Sequence, residues 1–388
     1  IRDANQAERI LAAGLVDLVG MTRAQIADPH MVAKIRDGRE DEIKQCVGAN
    51  YCIDRQYNGL DVLCVQNAAT SRESTMPHII PRTKGAKRKV VVVGAGPGGL
   101  EAARVSAARG HDVVLFESAA EVGGQVLLAA KAPQREQMAG IIRWFDLETK
   151  RLGVDRRLNT TAGEADILAE RPDIIVLATG GTSHTGQVPG WHAGDGWSVS
   201  AWDILSGKVA PGKNVLVYDA ISTHAGAGVA DYLASRGAAV EIVTPDVKVS
   251  DDVGGTTFPI FYRRLYTQNV IQTPNHWLDE VYLEDGRTIA VLRNEYTEEQ
   301  EERVVDQVVI ENGITPNDSL YWTLKPQSVN KGQTDIDDLY TARPQPCLGQ
   351  LPADNAGASF ALFRVGDCVS MHNIHAAIYD SLRLCKDF

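Results

Sequence analysis

The sequence predicts an α/β fold with parallel sheets, and three observations carry that prediction. A β-branched run, Lys89-Val-Val-Val-Val93, breaks into Gly94-x-Gly96-x-x-Gly99 and then into a helical pattern that reaches Arg109. A second strand–turn–helix–strand unit opens at Asn214-Val-Leu-Val-Tyr-Asp219 and continues through Ala239-Val-Glu-Ile-Val-Thr244. The chain then returns to an apolar strand, Ala361-Leu-Phe-Arg364, followed by Gly366-Asp367 and a closing helix. Short runs that are apolar on both faces fit strands covered on each side by helices. The late return places the second Rossmann-type domain as an insertion in the first.

The elements follow in order. Asp3 to Ala13 reads as a helix, with Ala4, Ala7, Ile10 and Leu11 on one face and Gly14 ending it. Leu15 to Met21 reads as a short buried strand, and Pro29 to Ile35 as another helix. That αβα step cannot cover both faces of its own strand, so partners are expected beyond Ile1, which is no initiator; the chain reads as part of a longer polypeptide. A cysteine loop runs from Cys46 to Cys64, and a stretch with Pro77, Pro81 and Gly85 has linker composition. Strand-like segments near Asp173–Leu177, Val281, Ile289 and Val308 complete the pattern. The expected divisions are 1–75, a linker at 76–88, a first nucleotide domain at 89–206 and 355–388, and a second at 207–354.

Composition excludes several classes. The chain has 388 residues, 44% hydrophobic and 23% charged, enough for two or three domains. Its net charge of −11 disfavours nucleic acid and anionic membrane as partners. No apolar run has the length of a membrane span. Three of the six cysteines, Cys46, Cys52 and Cys64, crowd together, which points to metal or cluster ligation in a reducing cytoplasm rather than to a disulfide framework.

The glycine turn carries the clearest chemistry. Gly94 permits the tight turn, Gly96 lets backbone approach a pyrophosphate, and Gly99 lets the helix pack against the strand; Pro97 and Gly98 open that helix. The free N–H groups and positive dipole end of the helix then face the phosphates. Asp112-Val-Val-Leu-Phe-Glu117 ends in an acid placed to accept from ribose hydroxyls. An adenine dinucleotide is the predicted ligand. The second unit lacks these features: Asp219-Ala-Ile221-Ser-Thr-His224 stands where the glycines would, and Thr244 where the ribose acid would. Asp219 is expected to put negative charge at the pyrophosphate position, with Gly226 and Gly228 leaving room only for a shifted turn. His372 and His375 have a metal-like spacing but no third ligand, so packing or capping is expected of them.

Over nearly its whole length the chain resembles the C-terminal part of the trimethylamine dehydrogenase and 2,4-dienoyl-CoA reductase family of Old-Yellow-Enzyme-like flavoproteins, including an N-methyl amino acid demethylase branch. The matching text is Asp17-Leu-Val-Gly-Met-Thr-Arg23 with Ile26-Ala-Asp28-Pro29, Cys46-Val-Gly-Ala-Asn-Tyr-Cys52, Cys64-Val-Gln-Asn67, Gly94 to Gly99, Glu121-Val-Gly-Gly124-Gln125, Ala178-Thr179-Gly180 and Gly366-Asp367. The resemblance implies the end of an FMN-bearing TIM barrel, an iron–sulfur loop and two glutathione-reductase-like domains. It implies that Met21, Thr22 and Arg23 hold the FMN phosphate in the full-length protein. Gly124, Gln125, Arg135, Thr179, Gly180 and Asp367 would join the turn around FAD, where trimethylamine dehydrogenase is understood to hold ADP. It also implies that Cys46, Cys52 and Cys64 ligate an iron–sulfur cluster. Ala49 replaces the family's second cysteine, so the cluster would have three irons, or four with Asn50, Asp54 or water as the remaining ligand.

The function implied is oxidative N-demethylation or deamination of a small methylated amine or N-methyl amino acid. Electrons would leave to an electron-transfer flavoprotein or similar acceptor, in a cytoplasmic homo-oligomer. The catalytic residues would lie on barrel strands outside this sequence. An NAD(P)H-dependent 2,4-dienoyl-CoA or enoate reductase is the second reading, against which the altered second turn argues. A non-catalytic nucleotide-binding module is the third, against which Gln125 and the clustered cysteines argue.

Overall fold

The computed structural model describes residues 1–186, 188–190, 196–349 and 358–388. In chain order its strands are β1 (Lys89–Val93), β2 (Asp112–Phe116), β3 (Asp155–Arg157), β4 (Ile174–Leu177), β5 (Gly181–Ser183), β6 (Ser198–Ser200), β7 (Asn214–Asp219), β8 (Ala239–Val243), β9 (Ile271–Thr273), β10 (His276–Glu284), β11 (Arg287–Asn294), β12 (Gln300–Val305), β13 (Gln307–Glu311), β14 (Ile314–Pro316) and β15 (Ala361–Arg364). Two parallel five-stranded sheets form, in the orders β15-β4-β1-β2-β3 and β6-β13-β7-β8-β9. The first is completed by the last strand of the chain, so the second is an insertion, as the late apolar run predicts.

Each sheet is covered on both faces, which is why its strands tolerate unbroken apolar sequence. Val90, Val92, Leu115 and Phe363 face a core shared with the helices Pro97–Ala108, Ala139–Arg151 and Ile374–Cys385. Val91, Val93, Val114 and Ile175 face the opposite side, against Tyr321 and Leu324. The second sheet packs Val215, Val217 and Ile242 on its helices, and Leu216, Tyr218 and Ile310 on the antiparallel β10-β11-β12 layer. β5 and β14 pair antiparallel where the chain crosses between the two units.

Three expectations shift. Leu15–Met21 forms no strand, and Leu15 and Leu18 are 73% and 87% exposed. A strand exists through its neighbour's hydrogen bonds, and among the described residues none pairs with this segment. Residues 198–206, expected in the first nucleotide domain, belong with the second sheet through β6 and the buried Ile204 and Leu205. Tyr321 and Leu324, expected in the second, pack on the first. The expected boundary at 354/355 lies outside the described residues. The helices Ala4–Ala12 and Met31–Arg36 match the apolar periodicity, and among the described residues no helix is long and apolar enough to cross a membrane.

Candidate functional site

The first site is built at the tip of β1. Gly94 has φ +99°, and a Cβ there would lie 2.3 Å from the carbonyl oxygen of Ala178. A Cβ on Gly99 would lie 1.8 Å from the Gly94 carbonyl oxygen, so the helix and turn pack backbone to backbone. Gly96 differs: a Cβ there would meet nothing within 4 Å. That open side faces outward at the N-cap of the twelve-residue helix Pro97–Ala108, with Pro97 preset for the first turn. Glu117, just beyond β2, accepts from the Ala95 N–H inside the turn at 2.7 Å and from the Ala119 N–H at 2.8 Å. Its carboxylate is thereby fixed beside the opening.

A second glycine loop closes on the first. Gly124 has φ +55°, and a Cβ there would lie 3.1 Å from the Gly96 Cα, so the two loops also meet backbone to backbone. Gln125 begins the next helix; its side chain hydrogen-bonds Asp367, and its amide approaches Gly180. Asp367 also accepts from the His372 N–H at 2.8 Å, and burial holds its carboxyl above the usual range. The Thr179 hydroxyl donates to the Asn317 carbonyl at 2.5 Å and stands 3.1 Å from the Cys368 sulfur. Gly94, Gly96, Gly99, Glu117, Gly124, Gln125, Gly180 and Asp367 are thus gathered from segments far apart in sequence. Arg135 lies close enough to His224, at the start of the helix His224–Ala234, to disfavour that imidazole's charge.

The cysteine loop lies beside the expected FMN residues. Met21 and Thr22 help line a cavity of about 510 Å³ with Gln25, Ile26, Thr70 and His78. The Arg23 guanidinium turns from that cavity to the Asn50 side-chain oxygen at 3.1 Å, where its charge also acts on Cys52. Gly48 and Asn50, at φ +67° and +61°, curl the chain between Cys46 and Cys52. All six cysteines are free thiols. Cys46 interacts electrostatically with both Cys52 and Cys64, so it lies near each of them.

Burial raises the Cys52 and Cys64 thiols, and backbone N–H groups oppose it. Those of Cys52 and Ile53 face the Cys52 sulfur, and those of Gln66 and Asn67 face the Cys64 sulfur. N–H donors aimed at sulfur stabilise thiolates, and this donor set fits a cluster-bound loop. Among the described residues no three His, Cys, Asp or Glu converge on a single ion; a cluster has a different requirement, because it spreads its thiolates over separate irons.

Two expected ligands are engaged elsewhere. Asn50 accepts from Arg23 and donates to the Thr257 hydroxyl at 3.2 Å. Asp54 accepts from the Thr256 N–H at 3.0 Å, and its carboxylate is pressed so closely on Gly254 that a Cβ there would sit 2.1 Å from Asp54 Cγ. Both side chains tie the loop to the second unit. Long-range pairing of this kind has no local sequence signal. The same holds for the partners of His375. Burial lowers its pKa to about 4, so it is neutral. Its Nδ1 stands 2.7 Å from the Cys64 carbonyl oxygen and must donate there, leaving Nε2 to accept from Arg72 at 3.1 Å.

In the second unit the carboxyl of Asp219 fills the space that a dinucleotide turn leaves open. Its Oδ1 accepts from the Ser222 N–H at 2.9 Å and the Ile221 N–H at 3.4 Å, and a Cβ on Gly226 would lie 2.2 Å from its Cγ. Ser222 and Thr244 close the strand ends through a hydroxyl pair at 2.9 Å. Glu311 of β13 stands in register with Asp219, and both are buried. Burial raises Asp219 to about 7 and Glu311 to about 8. Burial thus favours the protonated form of both, and the obstruction at this turn is one of volume as well as charge.

A model of the family described as pyridine nucleotide-disulphide oxidoreductase matches residues 88–380. The chain is 62% identical over its full length to an N,N-dimethylglycine/sarcosine dehydrogenase from Chromohalobacter salexigens, covering 56% of that protein. It is 45% identical, again over its full length and 56% of the relative, to a probable N-methylproline demethylase from Rhizobium meliloti. Among solved structures, 2-naphthoyl-CoA reductase in complex with 2-naphthoyl-CoA matches with TM-score 0.83 and 26% identity, covering the whole of this chain and 53% of that one. The chain thus spans about half the length of the curated relatives it matches.

Proposed function

Because the chain belongs to the pyridine nucleotide-disulphide oxidoreductase family, we propose that it is the electron-carrying part of a flavin and iron–sulfur dehydrogenase. That enzyme would oxidatively N-demethylate a small methylated amine or N-methyl amino acid and pass electrons to an electron-transfer flavoprotein or similar acceptor. The observation that carries this reading is the 62% identity, end to end, with a dimethylglycine/sarcosine dehydrogenase.

The chain's own residues supply three holding sites in the proposal. Gly94, Gly96, Pro97, Gly98 and Gly99 would receive the pyrophosphate of FAD, Glu117 its ribose, and Gly124, Gln125, Thr179, Gly180 and Asp367 the part beyond. Arg135 would join them at FAD. Met21, Thr22 and Arg23 would hold the FMN phosphate in the full-length protein, Arg23 leaving Asn50 to do so. Cys46, Cys52 and Cys64 would hold the cluster, with thiols kept free in the reducing cytoplasm expected of this enzyme. When bound, flavin and an iron–sulfur centre together supply the change from two-electron oxidation to single-electron transfer.

The filled turn at Asp219 supports the oxidative direction, since a nicotinamide dinucleotide has no open pyrophosphate seat in the second unit. In the full-length enzyme, dimethylglycine, sarcosine or N-methylproline should bleach the flavin anaerobically and release formaldehyde, with NADH and NADPH far slower. Stopped-flow absorbance with each donor at matched concentration makes the comparison. Rapid bleaching by NADPH coupled to reduction of an enoyl thioester would replace this reading with the reductase one.

The cluster has its own test. Cys64→Ala should release iron and acid-labile sulfide, whereas Ala49→Cys should convert a three-iron or labile four-iron signal into that of a robust four-iron cluster. Iron analysis and low-temperature electron paramagnetic resonance read both outcomes. Metal-free wild-type protein from an anaerobic preparation would reduce the loop to a structural element.

A further inference from the structure

We infer that Lys44 is the buried counter-charge of the centre held by the cysteine loop, and that its positive charge helps to set that centre's reduction potential. The inference rests on the iron–sulfur reading above. Lys44 lies just ahead of Cys46, and its ammonium turns inward, stacking 4.0 Å from the centroid of the Trp144 ring. It donates to the Gln66 carbonyl at 3.1 Å. The N–H of the same residue, Gln66, faces the Cys64 sulfur. Lys44 therefore braces the segment that presents Cys64, and its charge is felt at that thiol.

What it lacks is an anion of its own. The carboxylates near enough to act on it are Glu101 and Asp28. Glu101 is taken by Arg104 at 2.6 Å, and Asp28 by Lys34 at 2.6 Å. Among the described residues none makes an ion pair with the Lys44 ammonium. A cation withdrawn from water without a counter-ion is costly. The Cys64 thiol, on which the Lys44 charge acts, is the nearby group that would become its anion on holding a cluster. Each electron added to such a centre increases its negative charge, so a fixed cation nearby favours the reduced state, and the low local dielectric strengthens the effect. The Trp144 ring holds the ammonium in place through its π-face while supplying no charge.

The test uses full-length protein with its native cofactors and three variants: Lys44→Met, Lys44→Gln and Lys44→Arg. Iron and acid-labile sulfide are measured first, then the midpoint potential by redox titration followed by electron paramagnetic resonance. With iron retained, both neutral variants should shift the equilibrium about tenfold toward the oxidised centre, a potential more negative by about 59 mV for one electron, and Lys44→Arg should stay near wild type. Iron lost from both neutral variants but kept by Lys44→Arg would equally support the counter-charge role. Iron retained with an unmoved potential in Lys44→Met and Lys44→Gln would overturn it. So would iron lost from all three, which marks a packing role. Wild-type protein without iron is a separate result and removes the cluster reading itself.

Discussion

Gly96→Val should leave the chain folded and strip it of its dinucleotide. The position is unusual among the turn glycines because a Cβ there meets nothing within 4 Å, so a side chain starts in open space. It would stand at the outer face of the turn, where N–H groups of the helix Pro97–Ala108 are free to receive phosphate. Losing even one charge-assisted contact costs about 1.5–3 kcal/mol, and excluding the pyrophosphate removes several, so retention should fall well beyond about tenfold. Gly99→Ala is the contrasting variant. Its Cβ would sit 1.8 Å from the Gly94 carbonyl oxygen, so helix and strand must separate, and the protein should lose stability as well as ligand. Heat release and chromatography of the bound nucleotide, beside thermal unfolding curves, distinguish the two. FAD retained at wild-type level by folded Gly96→Val would place the ligand elsewhere. Recovery of ADP alone from the wild type would correct the identity of the ligand and leave the site intact.

Asp219 and Glu311 should draw stability down as pH rises from about 4 to 8, against the rise that buried His224 and His375 give up to about pH 6.5, and Asp219→Asn with Glu311→Gln should remove the downward contribution. The folded pKa values, about 7 and about 8, lie above the ordinary values of 3.8 and 4.5. In this window these two carboxyls keep protons in the folded state that they release in the unfolded chain, so through them each pH unit favours unfolding. Below the unfolded values both states are protonated and the effect vanishes; above the folded ones both are ionised and no further loss follows. Neutral amides keep the shape and the acceptor oxygen for the Ile221 and Ser222 N–H groups while removing the ionisation. The double variant should melt higher than wild type at pH 8.5 by at least about 1 °C, the shift expected of roughly 1 kcal/mol in a chain of 388 residues. Melting curves from pH 5 to 9 read it, and parallel curves for the two proteins would show that the pair does not govern the pH dependence.

The two nucleotide-type sheets, the insertion of one in the other, the glycine turn and the cysteine spacing are all legible in the sequence, because they rest on local rules. A parallel strand buried on both faces must be apolar throughout, and a turn whose Cβ would strike its neighbour must use glycine. Whatever depends on partners distant in the chain was settled by folding. Leu15–Met21 has strand composition but no neighbouring strand. Asn50 and Asp54 have the chemistry of ligands, yet Arg23, Thr256 and Thr257 claim them. Asp219 reads as a charge, and only burial beside Glu311 favours its proton. Lys44 carries no signal in the sequence; the fold brings Trp144 and Gln66 around it and gives the nearby carboxylates to other cations. Residue type fixes what a side chain can do; desolvation and competition among partners, which are properties of the folded chain, select what it does.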